Sequence, residues 1–394
     1  MRLRRHPVAL LALAAATALV AGATPASADA GGVPHFDKRV CAVAPAGFAA
    51  CDSHVVTDKN LAPLASTTYT SGYAPVQLKT AYGLLGKDST VTVAIVDAYA
   101  SPNAAADLAA YRSQFGLGAA NLTQINQTGG SIATVSANTG WGQEEMLDLE
   151  MVSAICPGCR LLYVGANSAS FNDLATAVNT AVARGAAVVS NSYGGNEFSS
   201  ETSLAGAYNH PGVAITVSSG DSGYGAQAPA VFNTVTAVGG TSLTLNSDGT
   251  RRGETVWSGA GSGCSAYIAK PSWQHDSSCA RRTVADVAAV ADPNTGVAVY
   301  DSYGSTGGAN WMVFGGTSVA APIIGAVYAL SGNTANVPAA MSYAAPAGSL
   351  FDVTSGSNGR CVRGKSTTGA YLCTGGAGFD GPTGNGTPNG TAAF

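Results

Sequence analysis

From about residue 71 onward, the chain alternates between short, continuously apolar runs and longer segments in which apolar residues recur at helical spacing. The apolar runs predict buried strands at residues 91–96, 161–164, 186–190 and 213–218. The helical segments occupy residues 74–84, 104–115, 142–155 and 172–184. Strands that are apolar on both faces and alternate with helices are typical of a parallel sheet flanked by helices. The pattern therefore predicts an α/β fold with a doubly wound, parallel sheet.

The N-terminus has the organisation of a secretory signal peptide, which we place at residues 1–28. Three arginines precede an apolar stretch at residues 8–20, and Ala26-Ser27-Ala28 fits a cleavage site. The apolar stretch is too short to span a membrane, and no later stretch is long enough. We therefore expect an exported protein with no membrane partner.

The remaining chain divides into two parts by its periodicity. Residues 29–70 lack a strong pattern, and we interpret them as a short N-terminal extension or propeptide. Residues 71–394 carry the alternating pattern and form the predicted main domain, in which residues 230–310 are richer in strands and turns. No internal repeat is evident.

Charge is scarce along the whole chain. Of the 394 residues, 46% are hydrophobic but only 11% are charged, and the net charge is −4 without any basic run. Nucleic acids and anionic membranes are therefore not expected as partners. A surface with few carboxylates also loses little when they are protonated, which permits function at low pH.

The eight cysteines agree with export and fall into four pairs that are local in sequence. Nearest-neighbour pairing predicts the disulfides Cys41–Cys51, Cys156–Cys159, Cys264–Cys279 and Cys361–Cys373. The motif that joins Cys156 to Cys159 could also be a redox site, but a structural loop is the better interpretation in an exported chain. A zinc site built from two such motifs is excluded, because the chain has only one.

One stretch near the C-terminus, residues 315–322, has the character of a nucleophile turn. Gly315 and Gly316 permit a tight turn, Thr317 and Ser318 follow, and an apolar helix begins there and continues to Leu330. A serine at a helix start lies at the positive end of the helix dipole, as many catalytic nucleophiles do. On its own, this pattern is also explained by residues that merely cap a core helix.

A nucleophilic serine needs a base, and no histidine occupies a suitable helix start. Carboxylates are the alternative, because Glu144 and Asp148 are four residues apart and share one face of a predicted helix. Two carboxylates on one face repel each other, which raises one pKa and lets them share a proton. Spacing alone does not choose Glu144 over Glu145, and it is also compatible with a solvated acidic helix start.

Two polar loops follow predicted strands and complete the candidate residues. Asp221 follows a buried strand in a glycine-rich loop, where an Asx turn is the simpler explanation. Its Gly-Asp-Ser-Gly context matches the nucleophile loop of trypsin-like proteases only weakly, because the chain lacks their all-β pattern. The second loop, Ser190-Asn191-Ser192-Tyr193-Gly194, follows another strand. In parallel sheets, binding sites lie beyond the carboxyl ends of the strands.

Taken together and in this order, these motifs resemble the sedolisin family of serine-carboxyl peptidases over residues 70–394. The resemblance implies a subtilisin-like fold with a mostly parallel sheet and a Ser-Glu-Asp triad. It assigns Ser318 as nucleophile, Glu144 as general base, Asp148 as its orienting partner and Asp221 as an oxyanion donor. A carboxyl can donate to an oxyanion only when it is protonated, so we expect acid-optimal activity. Asp97 is left as a structural residue.

The resemblance also implies a binding edge and a calcium site. Ser190, Ser192, Tyr193 and Gly194 match the segment that pairs with the substrate backbone, which implies extended polypeptide substrates. One Ca²⁺ ion is expected to be bound by side-chain and backbone oxygens. Its matching residues are Asp352, Val353, Gly376, Gly378 and Asp380.

These expectations define a secreted acid peptidase that acts as a monomer. Endopeptidase action is favoured, but tripeptidyl-peptidase action stays open, as do three further points. The family has a long prodomain, whereas about 40 residues are available here after the signal peptide. An inactive, sedolisin-like binding protein is a competing hypothesis, although all four catalytic positions are retained. A Ser-His-Asp hydrolase is a third, and it requires His210 or His275 close to Ser318.

Overall fold

The structure, a computed structural model, describes Met1 and residues 36–305, 307–332, 337–361 and 369–394. The predicted signal peptide, apart from Met1, lies outside the described residues. Within these described ranges there are five α-helices: α1 Pro75–Ala81, α2 Ala104–Gln114, α3 Thr139–Ile155, α4 Phe171–Ala183 and α5 Thr317–Ser331. All five were predicted from the sequence, and their bounds differ from the prediction by a few residues.

Nineteen strands are numbered along the described chain. The central sheet contains β4 Thr92–Ala98, β5 Asn121–Asn126, β6 Arg160–Ala166, β7 Val188–Asn191, β9 Ala214–Ser218, β11 Thr236–Leu245, β12 Arg251–Val256 and β15 Val287–Val290. The remaining strands are β1 Phe36–Arg39, β2 Ala50–Cys51, β3 His54–Thr57, β8 Tyr193–Asn196, β10 Gln227–Ala228, β13 Gly263–Ala269, β14 Arg281–Val284, β16 Val297–Tyr300, β17 Trp311–Gly315, β18 Leu350–Phe351 and β19 Thr387–Pro388.

The central sheet confirms the predicted fold class. Its strand order is β12-β11-β9-β7-β4-β6-β5, and β15 also pairs with β11. All of these neighbours are parallel except β12, which is antiparallel to β11. Helices α1, α2, α3 and α5 contribute to the hydrophobic core on one face of the sheet, and α4 contributes to the core on the other. The sheet is therefore mostly parallel and covered on both faces.

Helix α5 lies in the interior, because its first 13 residues are buried. It packs on α3 and on β7, β9, β11 and β15 beneath it. A Cβ atom on Gly325 would lie only 3.2 Å from Thr216 Oγ1 of β9, so a small residue lets the helix approach the sheet closely. This packing sets the N-terminus of α5, with Ser318, over the carboxyl ends of the central strands.

The N-terminal segment is built into the domain. Strand β1 pairs with β3, β3 pairs with β17, and β2 pairs with β8, all antiparallel. These strands are only two to four residues long, and for this reason periodicity could not reveal them. All four predicted disulfides are confirmed, including Cys41–Cys51, which closes a loop within this segment.

Candidate active site

Helix α3 buries its two candidate carboxylates. Asn138 caps the helix by accepting a hydrogen bond of 3.1 Å from Trp141 N. Glu144 and Asp148 are both fully buried on one face. Glu145 has different partners, because it accepts hydrogen bonds from Ser101 N at 2.5 Å and from Gln124 Nε2 at 3.0 Å. Orientation thus separates Glu144 from Glu145, which spacing alone could not do.

A third buried carboxyl, Asp97, lies beside this pair at the end of β4. In the part of the chain that the structure describes, neither of its carboxyl oxygens has a hydrogen-bond partner. Burial raises the pKa of Asp148, and repulsion from Asp97 and Glu144 raises it further. Burial likewise raises the pKa of Asp97 itself. Sequence reasoning treated Asp97 as structural, but the structure makes it part of the carboxyl cluster Asp97, Glu144 and Asp148.

Ser318 occupies the first turn of α5, two residues after a glycine whose conformation the turn requires. Gly316 has a φ of +105°, and a Cβ atom there would lie 2.2 Å from Asp52 O and 2.6 Å from Asp221 Oδ2. Ser318 is fully buried, and its Oγ donates a hydrogen bond of 3.2 Å to Ser192 O. The turn therefore aims the Ser318 hydroxyl at the end of β7 and at the carboxyl cluster.

Two serines donate hydrogen bonds to the cluster, and one of them, Ser192, also accepts the hydrogen bond from Ser318. Ser192 Oγ donates to Asp148 Oδ1 at 2.9 Å, and Ser53 Oγ donates a short hydrogen bond to Glu144 Oε2. Burial raises the pKa of Glu144 and repulsion from Asp97 adds to the rise, whereas the neighbouring hydroxyls of Ser318 and Ser53 oppose it. A carboxyl with this balance can hold a proton well above its usual pH range.

Asp221 lies on the other side of Ser318, at the turn into α5. Its Oδ1 accepts hydrogen bonds from Thr317 N and Thr317 Oγ1, both at 2.8 Å. Its Oδ2 is buried without a hydrogen-bond partner and lies 3.6 Å from His54 Nε2. Burial raises the pKa of Asp221, although His54 and the bonds from Thr317 oppose the rise. A protonated Oδ2 would be a free hydrogen-bond donor.

An extended segment of the chain itself, residues 50–55, runs through the cleft between these groups. Strand β2 pairs with β8, and Asp52 N donates to Ser192 O at 3.3 Å. The carbonyl of Asp52 accepts a hydrogen bond of 2.9 Å from Ser318 N. Beyond Ser53, the segment continues into β3, where His54 pairs with Gly315 of β17. A peptide carbonyl is thus held against the nucleophile candidate by backbone pairing on both sides.

The residues of the predicted binding edge differ in how they contact this segment. Ser192 binds Asp52 N through its carbonyl, Tyr193 and Gly194 pair with β2, and these three residues line the segment. Ser190 does not, because it lies inside β7 and its Cβ is 3.8 Å from the position of a Cβ on Gly325. No signal in the sequence identified Asp52 or Ser53 as residues of this site, since neither belongs to a periodic element.

The two histidines that a Ser-His-Asp hydrolase would need lie elsewhere. His210 Nε2 is within hydrogen-bond distance of Asn179 Oδ1 and Ala207 O, at 3.0 and 3.1 Å. His275 is exposed. Neither forms a hydrogen bond with Ser318 in the part of the chain that the structure describes. The histidine that does approach the site, His54, faces Asp221.

The residues of the predicted calcium site are also neighbours. Gly378 N donates to Asp352 Oδ2 at 2.9 Å, and Gly376 N donates to Asp380 Oδ2 at 3.1 Å. A Cβ on Gly375 would lie 2.9 Å from Val353 O, so this carbonyl faces the same loop. Burial raises the pKa of Asp380 to about 7, and repulsion from Asp352 contributes. Two carboxylates with nearby carbonyls form an oxygen donor set of the kind that Ca²⁺ prefers.

No larger cluster supports a metal elsewhere. Among the described residues, no group of three or more His, Cys, Asp or Glu side chains could hold an ion. A cation at the loop of Asp352 and Asp380 would therefore depend on backbone carbonyls for the rest of its ligands.

Comparison with known proteins gives concordant matches. A model described as the subtilase family matches residues 126–345. Sedolisin from Pseudomonas sp. (strain 101) is 30% identical over 377 residues, which cover 84% of this chain and 62% of that protein. Kumamolisin from Bacillus sp. (strain MN-32) is 30% identical over 321 residues, which cover 72% of this chain and 56% of that protein. The chain thus spans about three fifths of the length of these relatives.

Solved structures agree with these matches. The structure of Pseudomonas sedolisin, a serine-carboxyl proteinase complexed with two molecules of pseudo-iodotyrostatin, has a TM-score of 0.70 and 28% identity. The match covers 82% of this chain and 96% of that one. A lanthipeptide protease, with 14% identity and a TM-score of 0.51, shares the fold alone. Within the described residues, we find no helix with the length and apolarity that a membrane crossing requires.

Proposed function

The chain belongs to the subtilase family, on its sedolisin branch, and on that premise we propose that it is a secreted serine-carboxyl endopeptidase active in acid. The observation that carries the proposal is the carbonyl of Asp52, which accepts a hydrogen bond from Ser318 N at 2.9 Å. Backbone pairing on both sides of Asp52 holds this peptide as a substrate would be held. Such positioning supplies much of the rate that an enzyme adds to hydrolysis.

The carboxyl cluster provides the acid and base of the reaction. Ser318 Oγ attacks the peptide carbonyl carbon while Glu144 takes the hydroxyl proton. Asp148 shares its proton with Glu144 and so keeps one carboxylate of the pair available. When the C–N bond breaks, Glu144 returns the proton to the leaving amine, and the acyl group stays on Ser318. Water then attacks the ester in the same way, with Glu144 again acting first as base and then as acid.

Asp221 supplies the acid dependence. The oxyanion that forms at the attacked carbonyl is stabilised by Ser318 N and by the protonated Oδ2 of Asp221. Burial raises the pKa of Asp221, so this proton persists into weak acid. As the pH rises through that pKa, the carboxyl ionises and repels the oxyanion. Activity is therefore present in acid and is lost toward neutral pH.

Endopeptidase action is supported by the length of the segment in the cleft. Counting back from Asp52, the chain passes Cys51 and Ala50 and continues to Ala49, whose N donates to Ala169 O at 2.8 Å. Phe48 then forms a bridge with Ser170. The cleft thus accepts at least five residues before the attacked bond, whereas an enzyme that removes tripeptides closes the cleft after three.

The same segment gives the N-terminal extension a function. While residues 50–55 fill the cleft, no other polypeptide can bind there, so the extension acts as a built-in inhibitor. Ser53 also donates a hydrogen bond to Glu144, so an oxygen of this carboxyl is engaged while the segment lies in the cleft. Export, which the predicted signal peptide and the four disulfides support, would deliver this inhibited form outside the cell.

A calcium ion, held by Asp352, Asp380 and the carbonyls of Val353, Gly376 and Gly378, would stabilise the C-terminal loop. We expect a chelator to lower the melting temperature by a few degrees, because an ion that binds only the folded state stabilises it. In the Asp380→Asn variant, the chelator should not lower the melting temperature further. An unchanged melting temperature of the wild type on chelation would contradict a resident ion.

The proposal is tested by protein hydrolysis measured between pH 3 and 8. Ser318→Ala and Glu144→Gln should each lower activity by at least about 10⁴-fold, because the first removes the nucleophile and the second the general base. The matched control is Glu145→Gln, which changes the adjacent buried carboxyl and should leave activity nearly unchanged. Equal losses in Glu144→Gln and Glu145→Gln would indicate a structural effect of the helix.

Two other outcomes would point to the competing functions. Activity that peaks near neutral pH and survives Glu144→Gln would indicate a different base. A folded chain that cleaves neither added protein nor its own N-terminal segment at any pH would indicate an inactive, binding protein.

A further inference from the structure

The side chain of Asp52 occupies a pocket that nothing described so far explains. Asp52 is only 1% exposed, and its Oδ2 accepts a hydrogen bond of 2.8 Å from Ser218 Oγ at the end of β9. Its carbonyl is the one held against Ser318. The pocket therefore receives the side chain of the residue that precedes the attacked bond.

Gln227 forms the inner wall of this pocket, in the space left by two glycines. A Cβ on Gly194 would lie 2.5 Å from Gln227 Oε1 and 3.2 Å from Asp52 Oδ2. A Cβ on Gly220 would lie 2.8 Å from Gln227 Cδ. Any larger residue at either position would expel the amide. Gln227 Oε1 is buried and has no hydrogen-bond partner among the described residues, which leaves it able to accept a hydrogen bond from an occupant.

The charges around the pocket disfavour an ionised occupant. Asp221 and Glu144 are titratable groups of the cleft that repel an ionised Asp52, and His54 lies on the far side of Asp221. Arg39 attracts Asp52 but belongs to the same N-terminal segment and is held by Ser222, so it leaves when the segment leaves. Burial and then Asp221 raise the pKa of Asp52 to about 8, although Ser218 opposes the rise.

We propose that this pocket selects substrates with a small, uncharged carboxyl or carboxamide side chain, aspartic acid or asparagine, before the cleaved bond. Ser218 donates a hydrogen bond to the side-chain oxygen, and Gln227 Oε1 accepts one from the carboxyl O–H or the amide N–H. Ser218 and Gln227 are thus the specificity-determining residues, and Asp52 is the chain's own example of a preferred residue. The proposal rests on the proposed peptidase function and names its substrate class.

The first test needs no catalysis. In full-length Ser318→Ala, which cannot cut itself, the melting temperature at pH 4 reports how well residue 52 fits the pocket. We expect Asp52→Asn to melt within about 1 °C of the parent, and Asp52→Leu and Asp52→Lys to melt at least about 3 °C lower. Equal melting of all four proteins would overturn the proposal, whether or not the wild type is an enzyme.

The second test measures cleavage of peptides that copy residues 48–57, with alanine at position 51 and a varied residue at position 52. The N-terminal segment competes equally with every peptide, so ratios of kcat/KM remain valid for the full-length protein. At pH 4, we expect peptides with Asp or Asn to exceed those with Leu or Lys by about 10–100-fold. At pH 6.5, kcat/KM for the Asp peptide should be lower than for the Asn peptide, because the Asp side chain is ionised in solution.

Ser218→Ala should reduce the preference for the Asp and Asn peptides over the Ala peptide by about 10-fold. Ser219→Ala is the matched control, because it removes the neighbouring hydroxyl without touching Asp52. If the protein hydrolyses protein substrates but prefers the Leu or Lys peptides, the proposed pocket specificity is refuted while the peptidase function stands. Loss of all hydrolysis would refute the function, and the melting experiment would still decide the pocket.

Discussion

Two clusters of buried charged groups in this protein are satisfied to very different degrees. Arg282 of β14 and Asp286, the residue before β15, are both fully buried and form a two-pronged ion pair at 2.7 and 2.5 Å. Tyr343 and Ala237 N complete the hydrogen bonds of Asp286. In the carboxyl cluster of Asp97, Glu144 and Asp148, no cation from the described part of the chain is paired with any of the three groups, and four carboxyl oxygens have no hydrogen-bond partner there.

The difference separates a structural cluster from a reactive one. A buried ion pair with all carboxylate oxygens bonded is locked into one protonation state, so it can hold elements together but moves no proton. Three carboxyls without a cation must keep protons to stay buried, and those protons can be transferred. Ser318 lies next to the second cluster, where a mobile proton is useful.

The largest effect that this comparison predicts is on catalysis. Asp148→Asn keeps the shape of the side chain but removes the shared proton, so we expect kcat/KM to fall by about 10²–10⁴-fold. The melting temperature should stay the same or rise, because an uncompensated carboxyl is lost. Glu150→Gln is the control, since Glu150 is buried on the same helix but bonds Tyr300 N. An equal loss of activity in Glu150→Gln would contradict the claim that the carboxyl cluster differs in function from other buried carboxyls.

The second prediction concerns stability at the ion pair. Arg282→Met leaves Asp286 buried without its cation, and we expect the free energy of unfolding to fall by about 3–5 kcal/mol. Urea denaturation measures this change, and kcat/KM per folded molecule should remain within about twofold. Adding Asp286→Leu should restore part of the stability. A larger loss of activity than of stability would show that this cluster also takes part in the reaction.

The third and smallest effect is the response of stability to pH. Burial raises the pKa values of Asp52 and Glu201 to about 8 and that of Asp301 to about 6. The folded state therefore binds more protons than the unfolded state, and the free energy of unfolding decreases as the pH rises. Stability should be greatest below about pH 4 and fall by at least about 2 kcal/mol by pH 8. Thermal melting at successive pH values checks this, and a rise of stability toward pH 8 would contradict it.

Much of the fold could be predicted from the sequence because burial on both faces leaves a strong signal. The strands β4, β6, β7 and β9 are continuously apolar, and each was predicted within a few residues. Strand β5, at the sheet edge, escaped prediction because only Ile125 is fully buried there and polar residues alternate with it. The strands of the N-terminal segment escaped because they are short and depend on partners far along the chain.

The candidate site divides in the same way. Motifs on single elements, such as the turn at Ser318 and the helix of Glu144 and Asp148, could be found from local pattern and resemblance. The position of Asp97 beside them could not, because a carboxyl after a strand looks the same whether it faces a cluster or a loop. The presence of Asp52 in the cleft was equally invisible, because it results from contacts across 140 residues and more.

The central claim is that carboxyl groups, one of them protonated, carry out catalysis at Ser318. The most direct measurement is the pH dependence of kcat/KM for the wild type and Asp221→Asn. An asparagine side chain donates a hydrogen bond at every pH. The account predicts that kcat/KM of the wild type falls toward neutral pH. The variant should be less active, and its kcat/KM should fall at a higher pH or not at all. A variant that declines at the same pH as the wild type would contradict the account.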